Sequence, residues 1–155
     1  MFVSALTCPR CGRTHDASKP HNVCDCGSPL LVEYGLGAVG GAVRREDIAA
    51  RPPDMWRYRE LLPLAEPEKV TSLGEGFTPL IPVPGLAREL HVSELWVKED
   101  GLNPTGSFKA RGAAAGVARA KELGIHEVAL PTAGNAGGAW ACYGAAAGIR
   151  VHVAM

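Results

Sequence analysis

The stretch that decides the fold runs from Asn103 to Gly112 and reads N-P-T-G-S-F-K-A-R-G. Its Asn-Pro pair and Gly106 are typical of a turn. Thr105 or Ser107 is suited to begin a helix, because a hydroxyl oxygen accepts hydrogen bonds from free backbone amides there. We therefore predict that a loop ends here and that a helix follows over residues 108–123.

Lys109 has an unusual position in this predicted helix. At about 3.6 residues per turn it shares a row with Ala113, Gly116 and Ala120, a face of small apolar residues. We therefore predict that the lysine is buried in the first helical turn. Burial and the positive end of the helix dipole would both lower its pKa and favour a nucleophilic amine. The alternative is a lysine that extends from the helix end to water.

A second loop of similar placement follows. Glu127–Leu130 predicts a strand, P-T-A-G-N-A-G-G from Pro131 to Gly138 predicts a loop, and Ala139–Ala147 predicts an apolar helix. Backbone amides at the start of that helix are suited to bind a carboxylate or a phosphate. The alternative is that Asn135 only caps the helix.

Strands and helices alternate in this half of the chain. Leu95–Asp100 predicts a strand before the Lys109 loop, and another strand begins at Arg150. The alternation predicts an α/β fold, a parallel sheet with crossover helices. Lys109 and Asn135 then both follow the carboxyl ends of strands, where α/β folds usually bind ligands.

The two loops together resemble pyridoxal-phosphate (PLP) enzymes of fold type II, the tryptophan synthase β-like family, and within it the threonine synthases. In that family the lysine of S-F-K forms a Schiff base with PLP, which implies that Lys109 is the catalytic residue and binds the cofactor. An S/T-x-G-N loop follows it, and here Asn135 lies 26 residues after Lys109. The family's asparagine binds the PLP 3′-oxygen, so the resemblance implies cofactor binding by Asn135 and substrate binding by Thr132, Ala133 and Gly134. Ala110 replaces an aspartate of many relatives, a variant associated with threonine synthases.

A cysteine module opens the chain. C-P-x-C-G at residues 8–12 is followed, after 12 residues between Cys11 and Cys24, by C-D-C-G. Thiolates are suited to tetrahedral zinc, so we predict a zinc-ribbon-like module over residues 1–34 with structural zinc bound by Cys8, Cys11, Cys24 and Cys26. Because the second pair is C-x-C, the alternatives are a ligand from His15 or His21, a degenerate module without metal, and a redox or disulfide pair.

We predict a connecting arm over residues 35–69. Gly35–Gly41 is glycine-rich, which is typical of a linker. W-R-Y-R-E-L-L-P at residues 56–63 predicts an amphipathic helical turn that packs its aromatic residues on a neighbour. It also resembles the arm before the catalytic core in threonine synthases.

We predict the catalytic core over residues 70–155. It opens with G-E-G-F-T-P-L at residues 74–80, which resembles the start of the family's core. The sequence alone assigns no chemical role to Glu75 or Thr78. The final R-V-H-V-A-M predicts the start of a buried strand, so we expect the N-terminal portion of a larger enzyme. The family's PLP-phosphate loop and pyridine-nitrogen partner are expected beyond this chain.

Charge and composition argue against several classes of protein. The 16 basic residues balance 16 acidic ones, which gives no signal for nucleic acid or an acidic membrane. Residues 128–149 are uncharged, but Pro131, Asn135 and glycines interrupt them, which argues against a membrane span. The N-terminus lacks the features of a signal peptide, so a cytoplasmic protein is the default expectation.

The resemblance implies an enzyme that converts O-phospho-L-homoserine and water to L-threonine and phosphate, with PLP as electron sink. It also implies a homodimer for the full-length enzyme. The alternatives within the family are threonine or serine dehydratase and cysteate synthase. An alternative of another class is a zinc-ribbon binding module without catalysis. The cysteine module and the W-R-Y arm favour the synthase.

Overall fold

The computed structural model describes residues 2–66 and 70–155, so Met1 and residues 67–69 of the predicted arm lie outside the described residues. The strands are β1 (Val3–Thr7), β2 (Thr14–His15), β3 (Leu31–Tyr34), β4 (Leu80–Pro82), β5 (Trp96–Lys98), β6 (Glu127–Pro131) and β7 (Arg150–Ala154). The α-helices are α1 (Leu36–Ala42), α2 (Arg45–Ala49), α3 (Pro84–Glu89), α4 (Lys109–Glu122) and α5 (Asn135–Ala147). Among the described residues, 3₁₀ helices span Met55–Leu61 and Asp100–Leu102.

The N-terminal module is an antiparallel sheet in the order β2-β1-β3. β1 leads directly into Cys8, and the Gly12 N–H donates to the Cys8 carbonyl at 2.9 Å. The second knuckle repeats this turn, because the Gly27 N–H donates to the Cys24 carbonyl at 2.8 Å. Gly12 and Gly27 have φ of +73° and +80°, a conformation that favours glycine. The turns therefore bend both cysteine pairs toward the same point.

The glycine-rich segment predicted as a linker is instead helix α1. Its start is held because the Gly35 N–H donates to the Phe2 carbonyl at 2.9 Å, and the Val39 side chain is buried. Tertiary packing therefore outweighs the low helix propensity of glycine in this segment. The predicted helical turn at residues 56–63 is confirmed as the 3₁₀ helix Met55–Leu61, which buries Met55 and Trp56.

The predicted parallel crossover is confirmed at the end of the core, where β6 and β7 pair in parallel and α5 connects them. The prediction that β5 joins the same sheet is wrong. β5 pairs antiparallel with β4, from Leu80 opposite Lys98 to Pro82 opposite Trp96. Flanking bonds from the Glu99 N–H to the Pro79 carbonyl and from the Val83 N–H to the Leu95 carbonyl extend this ladder. The chain is thus mixed α/β, with two separate two-stranded sheets in the core.

Helix α5 packs closely against both α4 and β7 through small residues. A Cβ atom at Gly116 would lie 2.7 Å from the Trp140 ring, and one at Gly144 would lie 2.3 Å from Val151 Cγ2. Close packing of this kind leaves no room for added side chains. The core is made of buried apolar residues from the arm and both helices, including Trp56, Leu64, Ala113, Val117, Ala139 and Tyr143. In the ranges 2–66 and 70–155, no helix is long and apolar enough to cross a membrane.

Two glycines of α5 provide a matched test of this packing. We expect Gly144→Ala to lower the free energy of unfolding by about 1–3 kcal/mol, because its methyl group would overlap Val151. Gly138→Ala should be neutral or stabilise by up to about 1 kcal/mol, because nothing lies within 4 Å of its added Cβ. Denaturant unfolding measures both, and equal stability of the two variants would contradict the packing.

Candidate active site

Lys109 is the first residue of α4, and its side chain is exposed. Its Nζ lies 4.5 Å from the centroid of the Phe108 ring. The prediction of a buried lysine is therefore wrong for this chain. The buried face of the helix is centred on Ala110, Ala113 and Val117 instead. Lys109 lies outside this buried face.

The loop before Lys109 is held by its own side chains. Asn103 is buried, its Nδ2 donates to the Asp100 carbonyl at 2.9 Å, and its Oδ1 accepts the Gly76 N–H at 3.1 Å. The Lys109 N–H donates to Ser107 Oγ at 3.4 Å. Thr105 Oγ1 has no solvent contact and no hydrogen-bond partner. The loop thus contains one unsatisfied hydroxyl close in sequence to the lysine.

The second loop connects β6 with α5. Thr132 Oγ1 accepts the Gly134 N–H at 3.2 Å, and the Thr132 N–H donates to the Ala154 carbonyl at 2.9 Å. Asn135 is the first residue of α5, and Gly134 takes the cap position without a side-chain hydrogen bond. The alternative that Asn135 serves as the helix cap is therefore wrong. Its exposed side chain makes no hydrogen bond within the described part of the chain.

The structure places Lys109 and Asn135 at the starts of two helices that pack side by side. Across residues 2–66 and 70–155, no hydrogen bond joins these two side chains. The residues Thr132, Ala133 and Gly134 lie together in the loop that precedes Asn135. The packed helices therefore follow both predicted loops, and the side chains of Lys109 and Asn135 are exposed.

Sequence reasoning missed the carboxylate of Glu75, which is fully buried. It accepts hydrogen bonds from Trp56 Nε1 at 2.5 Å, from the Leu73 N–H at 2.9 Å and from the Tyr143 hydroxyl at 2.6 Å. Burial, and after it the bond to Glu75, raise the pKa of Tyr143, so the phenol stays protonated. Trp56 and Tyr143 are 19 and 68 residues away in sequence, and no local pattern indicates such contacts.

An ion pair fixes the other side of the Lys109 loop. Arg111 Nε and Nη2 donate to Asp100 at 2.9 and 2.8 Å, and Thr78 Oγ1 donates to the same carboxylate at 2.5 Å. The Arg111 guanidinium, followed by the Thr78 hydroxyl, holds the pKa of Asp100 well below its usual range. Lys98 Nζ donates to the Thr78 carbonyl. The S-F-K-A-R motif thus contains a structural anchor, Arg111, beside the predicted amine.

The four predicted cysteine ligands form one cluster. Their Sγ atoms all lie within 4.8 Å of one another, with 3.5 Å between Cys8 and Cys26 and 3.6 Å between Cys11 and Cys24. Tetrahedral zinc with thiolate ligands requires about 3.8 Å between sulfurs. Burial would raise the pKa of Cys8, but backbone amides of Cys11 and Arg10 and neighbouring thiols lower it to about 6. The cluster is suited to hold a metal ion, and His15 and His21 lie outside it.

The family model described as pyridoxal-phosphate dependent enzyme matches residues 71–155, more than half of the chain. The chain belongs to this family of PLP-dependent enzymes, as the two loop motifs predict. Among curated proteins it is similar to threonine synthase from Methanocaldococcus jannaschii, with 41% identity over 148 residues, 96% of this chain and 36% of the relative. Threonine synthase from Methanosarcina acetivorans is 40% identical over 151 residues, 97% of this chain and 36% of the relative.

A third similar protein is threonine synthase from Halalkalibacterium halodurans, 47% identical over 98 residues, 63% of this chain and 27% of the relative. The matches to the Methanocaldococcus and Methanosarcina proteins extend over the cysteine module, since they cover nearly the whole chain. The chain spans about a third of the length of those two relatives.

The residues present fit the cofactor of this family. Lys109 offers an exposed amine, and among residues 2–66 and 70–155 neither the Asn135 amide nor the buried Thr105 hydroxyl has a hydrogen-bond partner. Buried polar groups are normally paired, so an unsatisfied hydroxyl at this position is consistent with a ligand nearby. PLP carries the aldehyde and oxygen groups that such donors and nucleophiles bind.

The ion pair between Asp100 and Arg111 should make the stability of the chain depend on pH. We expect Asp100→Asn to lower the free energy of unfolding at pH 7 by about 1–3 kcal/mol, because it removes charged hydrogen bonds that are partly buried. A carboxylate whose pKa is lower in the folded than in the unfolded chain stabilises the fold at pH values above its unfolded pKa of 3.8. This stabilisation is lost as the pH falls toward the pKa of the folded state. The difference between the variant and the unchanged chain should therefore shrink only below about pH 4.

Urea unfolding at several pH values measures this difference. Asp47→Asn is the control, because its pair with Arg44 is exposed and should contribute less. A difference that already disappears between pH 7 and pH 5 would contradict the role of Asp100.

Proposed function

We propose that this chain is the N-terminal portion of a PLP-dependent threonine synthase, which converts O-phospho-L-homoserine and water to L-threonine and phosphate. The similarity to threonine synthases over 96% of the chain carries the proposal, because it includes the cysteine module and both loops. Dehydratases and cysteate synthase share the core chemistry. The similarity to the threonine synthases named above favours threonine synthase activity over these alternatives.

In this proposal Lys109 attaches PLP covalently through its amine. Its exposed position at the start of α4 leaves the nitrogen accessible to the cofactor aldehyde. With substrate bound, the lysine amine would move protons at the α and β carbons of the substrate. When bound, PLP supplies an electron sink for the pair released at the α carbon.

The second loop binds and orients in this proposal. Asn135 would donate from its amide to the 3′-oxygen of PLP, and the absence of a hydrogen bond from its exposed side chain to any described residue supports this role. Thr132, Ala133 and Gly134 hold the substrate carboxylate, which the amides at the start of α5 favour electrostatically. Phosphate leaves from Cγ and water adds at Cβ, so the reaction is balanced without a further reactant.

Covalent labelling tests the role of Lys109. We expect one pyridoxyl group on Lys109 after the chain is mixed with PLP and reduced with borohydride, as located by peptide mass spectrometry. Lys109→Ala should remove this label. Lys121→Ala, an exposed lysine in the same helix, should retain it. Equal labelling of several lysines would sink the assignment of a built cofactor site.

We also propose that Cys8, Cys11, Cys24 and Cys26 bind one structural zinc ion. The cluster of their sulfurs and the repeated knuckle turns support this proposal over the disulfide alternative. A short segment has too small a core to fold stably without such support. The ion would hold the ends of β1 and the second knuckle together.

Metal substitution tests the cysteine site. We expect one equivalent of Zn²⁺ per chain, and Co²⁺ in its place should give the intense absorption of tetrahedral thiolate ligation. Cys26→Ser should weaken Co²⁺ binding about 10-fold or more, since it removes one ligand. His21→Ala is the matched control and should bind as the unchanged chain does. Loss of binding in the histidine variant would instead favour a ligand set with His21.

A further inference from the structure

We propose that Glu75 is a positioning residue of the PLP site, which holds the arm, the Lys109 loop and helix α5 in fixed relation. The inference rests on the proposed function for the identity of the site. Glu75 does not contact the reacting groups in this proposal. It acts through Tyr143 and through its neighbour Gly76. The argument starts from the contacts of its carboxylate.

The carboxylate binds donors from three parts of the chain. Trp56 belongs to the 3₁₀ helix of the arm, Leu73 to the same loop as Glu75, and Tyr143 to α5. Tyr143 and Glu75 are both fully buried. A charge without solvent contact is stable only while its hydrogen-bond donors stay in place. Movement of α5 relative to the arm would therefore break bonds that water does not replace.

The backbone next to Glu75 extends the connection to Lys109. The Gly76 N–H donates to Asn103 Oδ1, and the Met55 N–H donates to the Glu75 carbonyl at 2.9 Å. Gly76 has φ of +98°, and a Cβ there would lie 2.5 Å from the Met55 nitrogen. Phe77 has φ of +49°, which is unfavourable for a phenylalanine and persists only where its surroundings fix it. The loop is thus held in one conformation by the arm and by Asn103.

The two site helices are therefore joined through two adjacent residues. Glu75 binds α5, which begins at Asn135, while Gly76 binds the loop that leads into Lys109. A purely space-filling role would not require a carboxylate with three donors. Glutamine keeps the size of the side chain, but its NH₂ group faces a donor, so at least one buried donor loses its partner.

Three variants separate positioning from general stability. Glu75→Gln changes the charge at all three contacts, and Tyr143→Phe removes only the bond to α5. The matched control is Glu94→Gln, because Glu94 also accepts from a tryptophan, Trp96 Nε1 at 3.2 Å, but at the surface. Each variant is first compared with the unchanged chain by circular dichroism. Tyr143→Phe keeps the carboxylate and the Trp56 bond, so it decides the question if Glu75→Gln does not fold.

Hydrogen–deuterium exchange of the chain without cofactor is the first measurement. We expect Tyr143→Phe to speed exchange in α5 about 10-fold or more and to leave residues 103–110 unchanged. Glu75→Gln should speed exchange in α5, in residues 103–110 and in the arm, while the β1–β3 sheet keeps its rate. Uniform acceleration over the whole chain, or none in α5, would overturn the proposal.

The second measurement is the pH dependence of the absorbance of bound PLP. A displaced Asn135 changes the hydrogen bond to the cofactor, so the pH midpoint should shift in Glu75→Gln and Tyr143→Phe and stay unchanged in Glu94→Gln. An unchanged midpoint in both variants shows a role in stability only and overturns the positioning role. If the unchanged chain fails to label at Lys109, the proposed cofactor site on this chain fails, while exchange still decides whether Glu75 positions the two helices.

Discussion

The buried carboxylate of Glu75 is the constraint on which the arrangement of the core depends. It has no solvent contact, and its donors come from the arm, from its own loop and from α5. Leaving a buried polar group without its hydrogen-bond partner costs about 1–3 kcal/mol, and more for a charged group. Any conformation that separates one of these segments from Glu75 is therefore disfavoured. Through this one side chain, contacts between segments that are distant in sequence depend on each other.

Close packing of small residues complements this constraint. Trp140 occupies the space that Gly116 leaves on α4, and Val151 occupies the space at Gly144 on α5. Such contacts allow little sliding, because interiors at this density have few alternative arrangements. Lys109 and Asn135 lie at the ends of these packed helices, outside the packed surface itself. The structure thus separates a rigid support from accessible polar groups, an arrangement that favours binding sites of defined geometry.

Local signals in the sequence predicted the elements well and their tertiary partners less well. The predicted helix over 108–123 is α4 with one residue fewer at each end, and the four cysteines form a cluster as their spacing indicates. Periodicity gave Lys109 the wrong environment, because it identifies a face but not the extent of the neighbour that covers it. The linker prediction for the segment of α1 is wrong for the same reason, since the burial of Val39 is a property of the folded chain.

The remaining errors concern pairing. Alternation of strands and helices is compatible with β5 beside β6, but in the fold β5 pairs antiparallel with β4. The sequence indicates no special role for Glu75 or Asp100, because a glutamate between two glycines, or an aspartate after a strand, is typical of an exposed loop. Contacts such as those with Tyr143 and Arg111 distinguish these carboxylates from surface ones, and these contacts are formed by the fold.

The same helix that begins with Lys109 also holds the cysteine module. Arg119 Nη2 donates to the Ala17 carbonyl at 2.5 Å and pairs with Glu122 at 2.7 Å through Nη1. Glu122 in turn accepts the N–H groups of Ala65 and Glu66 at 3.0 and 2.7 Å. The Arg119 and Glu122 side chains are mostly buried, so this pair is screened less than a surface pair. Order in the loop between the two knuckles is therefore coupled to the second half of α4, and a metal that fixes the knuckles would stabilise the helix whose first residue carries the amine.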